Sequence, residues 1–359
     1  MRAVRALIVT VGFLAIAGIA AAATPQPTTV VRTPAPVEAL AQDGGLLGWL
    51  SGDGKKCNSV HLIGGGNTYV LPQPPNGSMT CHWDLSEGAE QFAIAAGASA
   101  ALWTLHQGRS DLVMTAQVGG KEIEVERLAH PDGTRRWLGG AAGGGTTLAY
   151  SWVDVEYVDP LGCGSGGSCK KKIAGGGIDL VTAGQKTSLP AAGPALGLAI
   201  SNGRIAYIPA TAVAKGGAPA ASSGAAIQVE DVSNGTVVSR VKPVGAPLAI
   251  GLASHVLAVL SRGARNARVL RLTWYDPSSG QTLGGVVVPL ATSPTLGVND
   301  QVIVYRFGRA LRAVVLAKHH VHGLGKTGAK YLGLSVDGTR LVWAENHRVS
   351  GSIRALSVP

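Results

Sequence analysis

Two carboxylates, Asp154 and Glu156, stand two residues apart in Trp152-Val-Asp-Val-Glu-Tyr157. On an extended strand alternate side chains share a face, so the pair projects together, as acid–base attack on a glycosidic bond requires. The same alternation turns Val153, Val155 and Tyr157 inward, and two acids on the wet face of a half-buried strand satisfy the pattern without chemistry. His320 and His322 also fall on one side of a strand, next to His319, and with another donor they would hold a transition metal. No Asp, Glu or Cys lies close in sequence to complete that set. The segment reads instead as a solvated turn between the third and fourth strands of a repeat unit. Gly325-Lys326-Thr327 resembles the end of a phosphate-binding loop, but the first Gly of that motif falls on His320. No catalytic residue, metal or cofactor is assigned on these signals.

The four cysteines form two local pairs, Cys57 with Cys81 and Cys163 with Cys169. Other pairings are possible, but proximity favours 57–81 and 163–169 as disulfides of an exported protein. Neither pair has the two-residue spacing or adjacent histidines of a zinc site. Asn76-Gly-Ser78 and Asn234-Gly-Thr236 match the glycosylation pattern and read more simply as turns.

The elements that carry these residues repeat. A short apolar strand, a tight turn and a second apolar strand recur at 92–103, 137–150, 196–207, 249–259, 296–305 and 331–343, usually with an aromatic near the end of the second strand. The intervals bracket the roughly 40–50 residues of one four-stranded propeller blade. Asp179 to Gly184, Asp231 to Gly235 and Asp276 to Gly280 supply a second register of turn chemistry, since Asp bonds its own downstream amides and Gly takes positive φ. Each unit therefore reads as strands A to D. The fold class is all-β, a β-propeller. Six blades are expected, the last completed by an amino-terminal strand within 60–71; if 57–85 forms its own sheet, the count is seven.

The last unit, Leu334-Ser-Val-Asp-Gly-Thr-Arg-Leu-Val-Trp343 followed by Gly351-Ser-Ile-Arg-Ala-Leu356, resembles the repeat of TolB-like, WD40-like propellers, with Val336 in place of the usual Pro. The resemblance covers about 30 residues of this one copy. It implies an exported propeller that often binds partners, and it transfers no catalytic residue.

The amino terminus reads as a leader: Arg2 and Arg5 precede the apolar run 6–23, which ends in Ala21-Ala22-Ala23. A signal peptide at 1–23, a Pro/Gly-rich tether at 24–56 and a propeller at 57–359 are expected, with export to the periplasm, cell surface or medium of a bacterium and no membrane span after cleavage.

Charge distribution points to a binding face. The chain carries a formal net charge of +10. In a propeller all B–C loops open on one side and all C–D turns on the other. The B–C positions hold His106 and Arg109, Lys170, Lys171 and Lys172, Lys215, Arg262, Arg265 and Arg268, Arg306 and Arg309, and His347 and Arg348. The C–D positions hold Asp132, Asp179, Asp231 and Asp276. Such a field attracts anionic partners in a salt-dependent way. The leading expectation is a non-catalytic module whose basic face binds an anionic cell-envelope polymer or an acidic protein surface. The alternative is a secreted propeller enzyme acting on glycans as hydrolase or lyase. Nucleic acid is not expected, because no aromatic–basic stacking strip is visible in the sequence.

Overall fold

The computed structural model describes residues 26–52, 58–71, 89–107, 110–129, 134–158, 170–190, 192–263, 269–328 and 330–358. Seven four-stranded antiparallel sheets are arranged as blades, spanning 37–70, 89–129, 134–188, 195–241, 247–289, 292–326 and 330–357; Thr28–Thr33 is the fourth strand of the seventh. The innermost strands A contact their neighbours in an unbroken ring, blade 7 meeting blade 1 through Lys330–Asp337 and Val37–Asp43. Every blade follows the same up-and-down order, so A–B and C–D turns emerge on one side and B–C loops and blade-to-blade connections on the other.

The count is therefore seven, the second of the two numbers that the sequence left open, but the additional sheet is built from 37–70 rather than 57–85. The closing strand also differs from expectation. Thr28–Thr33 pairs with Gly351–Ser357 from Thr28↔Ala355 to Thr33↔Gly351, while residues 60–71 belong to blade 1. Most of the expected tether is thus structured. Val37–Asp43, a turn through Gly44 and Gly45 at φ 50 and 84, and Leu46–Gly52 form strands A and B of blade 1. The local rule is the one that builds the other blades. Pro34 and Pro36 lie in the connection before strand A, where no ladder hydrogen bond is lost.

One position on strand B organises the core. Trp49, Trp103, Tyr150, Tyr207, Val259 and Tyr305 pair with Leu40, Phe92, Ala141, Leu198, Ile250 and Leu296 of strand A, and Trp343 occupies the position in blade 7. All seven are buried. Blade 5 has only Val259 there, and it buries Trp274 from strand C instead. One residue further along strand A runs a ring of small side chains, Ala41, Ala93, Ala142, Ala199, Gly251, Gly297 and Ser335. A Cβ on Gly251 would stand 2.4 Å from Val298 of the next blade, and one on Gly297 2.6 Å from Val336. Small residues thus let adjacent inner strands approach. They enclose an axial cavity of about 250 Å³, bordered by the free edges of the inner strands, whose backbone groups water can satisfy.

No described helix is long and apolar enough to cross a membrane. The expected leader at 1–23 lies outside the described residues.

Candidate binding face

Blade 3 differs from the rest. Its strands A, B and C, Thr134–Gly144, Thr147–Val158 and Lys170–Thr182, are 11, 12 and 13 residues long, and their ladder continues to Thr134↔Glu156 and Val158↔Lys170. The extra length lies on the B–C side and forms a three-stranded ledge. Alternation places Val153 and Val155 inward at 0% exposure, against Trp137, Ile173 and Ala210. The polar residues between them face out.

On that ledge cations are held over aromatic rings. The Arg135 guanidinium carbon lies 3.9 Å from the Trp137 ring centre, that of Arg136 4.1 Å from Trp152, and Lys171 Nζ 5.1 Å from Tyr157. Such contacts restrict side chains that would otherwise lose more entropy on binding. Arg136 also donates twice to Asp154, both at 2.6 Å, and Lys172 pairs with Glu156 at 3.0 Å. Hydrogen bonding to Asp154 raises the Arg136 pKa above its ordinary value despite partial burial. The two carboxylates of the hydrolase alternative do share a face, but each is engaged by its own cation. Lys171 reaches the hairpin of blade 4 that carries Lys215, where a Cβ on Gly217 would stand 2.7 Å from its Nζ.

Aromatic–basic pairs are present, but they are invisible as a contiguous run because Arg135 and Trp137 alternate and Arg136 and Trp152 meet across strands. The tandem Arg-Arg-Trp at 135–137 was the available signal, and its two arginines stand just before the repeat copy that begins at Trp137.

The other basic positions are spread around the same side. Arg262 ends strand B of blade 5 and is exposed; Arg306 and Arg309 flank the B–C turn of blade 6, where Arg309 Nε donates to Thr327 O at 3.0 Å. His347 and Arg348 are exposed in the B–C loop of blade 7. Val244, Leu290, Phe307 and Val349 are exposed on this side as well, Val349 at 72%. Arg109, Arg265, Arg268, the side chains of His106 and Lys170, and Cys57, Cys81, Cys163 and Cys169 lie outside the described residues.

The opposite side carries Asp43, Asp231, Asp276, Asp300 and Asp337, together with Arg204, Lys318 and Arg340, so it is mixed rather than acidic. Its acids have structural partners. Asp231 and Asp276 accept the amides of Ser233 and Ser278, which together with neighbouring Ser hydroxyls hold both carboxyls below the usual range. Asp43, Asp300 and Asp337 accept backbone amides of adjacent blades, at Ala96, His255 and Gly45. Asp179 is not a turn residue: it is 4% exposed within strand C of blade 3 and accepts from Ser188 Oγ and Trp152 Nε1. Asp132 lies outside the described residues.

His320 and His322 are on strand D of blade 6 rather than in the turn, with ring centres 4.6 Å apart, and only His319 occupies the turn, edge-on to Trp274. Among the described residues no three His, Cys, Asp or Glu side chains gather as a metal site. Lys326 ends a strand and Thr327 is buried with its hydroxyl on Arg309 O, so this segment is no phosphate loop.

No family model matches the chain, and no curated protein does. Among solved structures it is similar to the computationally designed Ika8 protein, at 10% identity and TM-score 0.50, over 92% of this chain and 98% of that one. It is also similar to a chain of a nidogen–laminin complex, at 11% identity and TM-score 0.38, over 70% and 80%. At such identity the first likeness carries the fold alone: an all-β propeller, here of seven blades.

Proposed function

We propose that this chain is an exported, non-catalytic propeller of TolB-like type, and that its B–C side binds an anionic cell-envelope polymer or an acidic protein surface. The observation that carries the reading is the blade 3 ledge, where Arg135 and Lys171 are stacked on Trp137 and Tyr157, beside Arg136, whose fork is taken up by Asp154. A pre-positioned guanidinium such as that of Arg135 suits bidentate carboxylate or phosphate. Of the two partners, a protein surface is favoured by the apolar Val244, Leu290, Phe307 and Val349 exposed among the cations. The TolB-like assignment is supported by Asp337-Gly338, which forms the A–B turn of blade 7 as that repeat would.

Binding to polyglutamate and to polygalacturonate, titrated against salt, tests this reading. Arg135→Gln with Lys171→Gln should weaken binding without lowering Tm, and Arg262, Arg265, Arg306 and Arg309 all changed to Gln should weaken it as well. Lys121→Gln with Lys318→Gln removes two charges on the other side and is the matched control for the ledge pair; Lys186 is unsuitable because it pairs with Glu126 at 2.9 Å. Equal losses in test and control variants would reduce the effect to net charge.

A further inference from the structure

On the side away from the ledge, turns of blades 3 and 4 enclose a groove of about 620 Å³. Arg204 and Asp231 face each other in the ladder between strands B and C of blade 4; the guanidinium is near enough to lower the Asp231 pKa, yet no hydrogen bond joins the two side chains. Arg204 Nη1 donates to Ser278 Oγ at 2.8 Å, and Asp231 Oδ1 accepts from both the hydroxyl and the amide of Ser233, leaving Oδ2. Adjacent opposite charges ordinarily pair; here both are held apart, with hydrogen-bonding capacity left over at the groove. Thr147, Thr182, Thr187 and Asn202 also line it, and their side chains make no hydrogen bond among the described residues. Leu180 and Val232 supply an apolar part of the wall.

We propose that this groove is a second binding site whose ligand is a short neutral glycan, with a vicinal diol placed between Arg204 and Asp231. The chemistry narrows the class. One cation and one anion make the site neutral, so a polyanion or polycation would leave one of them facing like charge. A vicinal diol donates to the carboxylate and accepts from the guanidinium, while remaining hydroxyls meet the threonines and Asn202. The C–H face of a pyranose suits Leu180 and Val232. An amino-acid zwitterion would also balance the two charges, and competition with glycine separates it from a glycan. The site faces away from the ledge, so both can be occupied together.

The test is titration of the folded chain with cellotriose, maltotriose and chitotriose by calorimetry and saturation-transfer NMR. With no aromatic platform, saturable binding of at least one is expected with a dissociation constant on the order of 1 mM. Asp231→Asn keeps an acceptor for the turn and removes the charge; Thr182→Val with Thr187→Val is nearly isosteric. Each should weaken binding about tenfold or more in protein that circular dichroism shows to be folded, whereas Arg135→Gln with Lys171→Gln should leave it intact. Failure of all three glycans to saturate, or undiminished binding in both groove variants, would overturn the proposal. So would glycine displacing the glycan, which would assign the site to zwitterions. Because the ledge variants are read separately with polyanions, failure of either site leaves the other standing.

Discussion

The Asp337 carboxylate of blade 7 accepts a hydrogen bond from the Gly45 amide of blade 1 at 2.7 Å, joining A–B turns 292 residues apart. It is one of several side-chain clasps along the closing seam. Gln42 Nε2 donates to Ser335 O and Arg340 O, and Asn346 both accepts from Val37 N–H and donates to Val37 C=O, at 2.8 and 2.6 Å. The Asn346 amide acts there as a short strand, satisfying backbone groups that the outer ladder does not reach. Ring closure thus rests on side chains as well as on Thr28–Thr33.

Asn346→Ala should accordingly destabilise by about 2–3 kcal/mol, since it leaves a partly buried N–H and C=O unpaired. Asp337→Ala, at an exposed site, should lose about 1 kcal/mol or less. Urea unfolding orders the two. A loss for Asn346→Ala no larger than for Asp337→Ala would show that the strand ladder alone closes the ring.

The shared strand B position gives a second expectation. Trp343 is 0% exposed, with its Nε1 on Glu345 Oε1 at 2.9 Å. Trp343→Ala should lose about 3–5 kcal/mol, and a loss below about 1 kcal/mol in denaturant titration would contradict its burial.

Gly143 on strand A of blade 3 tests how closely the inner strands approach. A Cβ there would lie 2.0 Å from Ile94 O of blade 2, a backbone atom that cannot swing aside. Gly143→Ala should cost about 2–3 kcal/mol through displacement of one blade from the next. Thermal unfolding with no change in Tm would show that the blades can separate freely at this point.

Glu230 gives a pH dependence. It is 0% exposed, accepts from Tyr207 OH at 2.6 Å, and burial raises its carboxyl above the ordinary value, with the Tyr207 bond and Arg240 opposing. A group raised on folding adds stability below its unfolded value, and that contribution is lost as pH rises through the folded one. Glu230→Gln keeps an acceptor for Tyr207 and removes the charge. It should stabilise at neutral pH, and the gain should vanish below the ordinary carboxyl value of 4.5. A pH-independent difference would assign the effect to packing.

The sequence by itself determined the blade: apolar alternation, turn residues at the reversals and an aromatic at one place on strand B are local codes, and the structure keeps the paired strands in all six blades from blade 2 onward and the aromatic in all but blade 5. Blade 1 was written in the same code, from Val37 through Asp43-Gly44-Gly45 to Trp49, but its neighbours Pro34 and Pro36 resemble a linker in composition. Only the tertiary structure decided the closing strand, because Thr28–Thr33 meets Gly351–Ser357 across more than 300 residues and ring closure is a property of all blades together. It also decided which charges are engaged. Arg136 and Asp154 pair across a strand while Arg204 and Asp231, equally opposed, do not, since Ser278 of the next blade draws the guanidinium away. Local propensity sets each strand and turn; which charges meet is set by how neighbouring blades are placed.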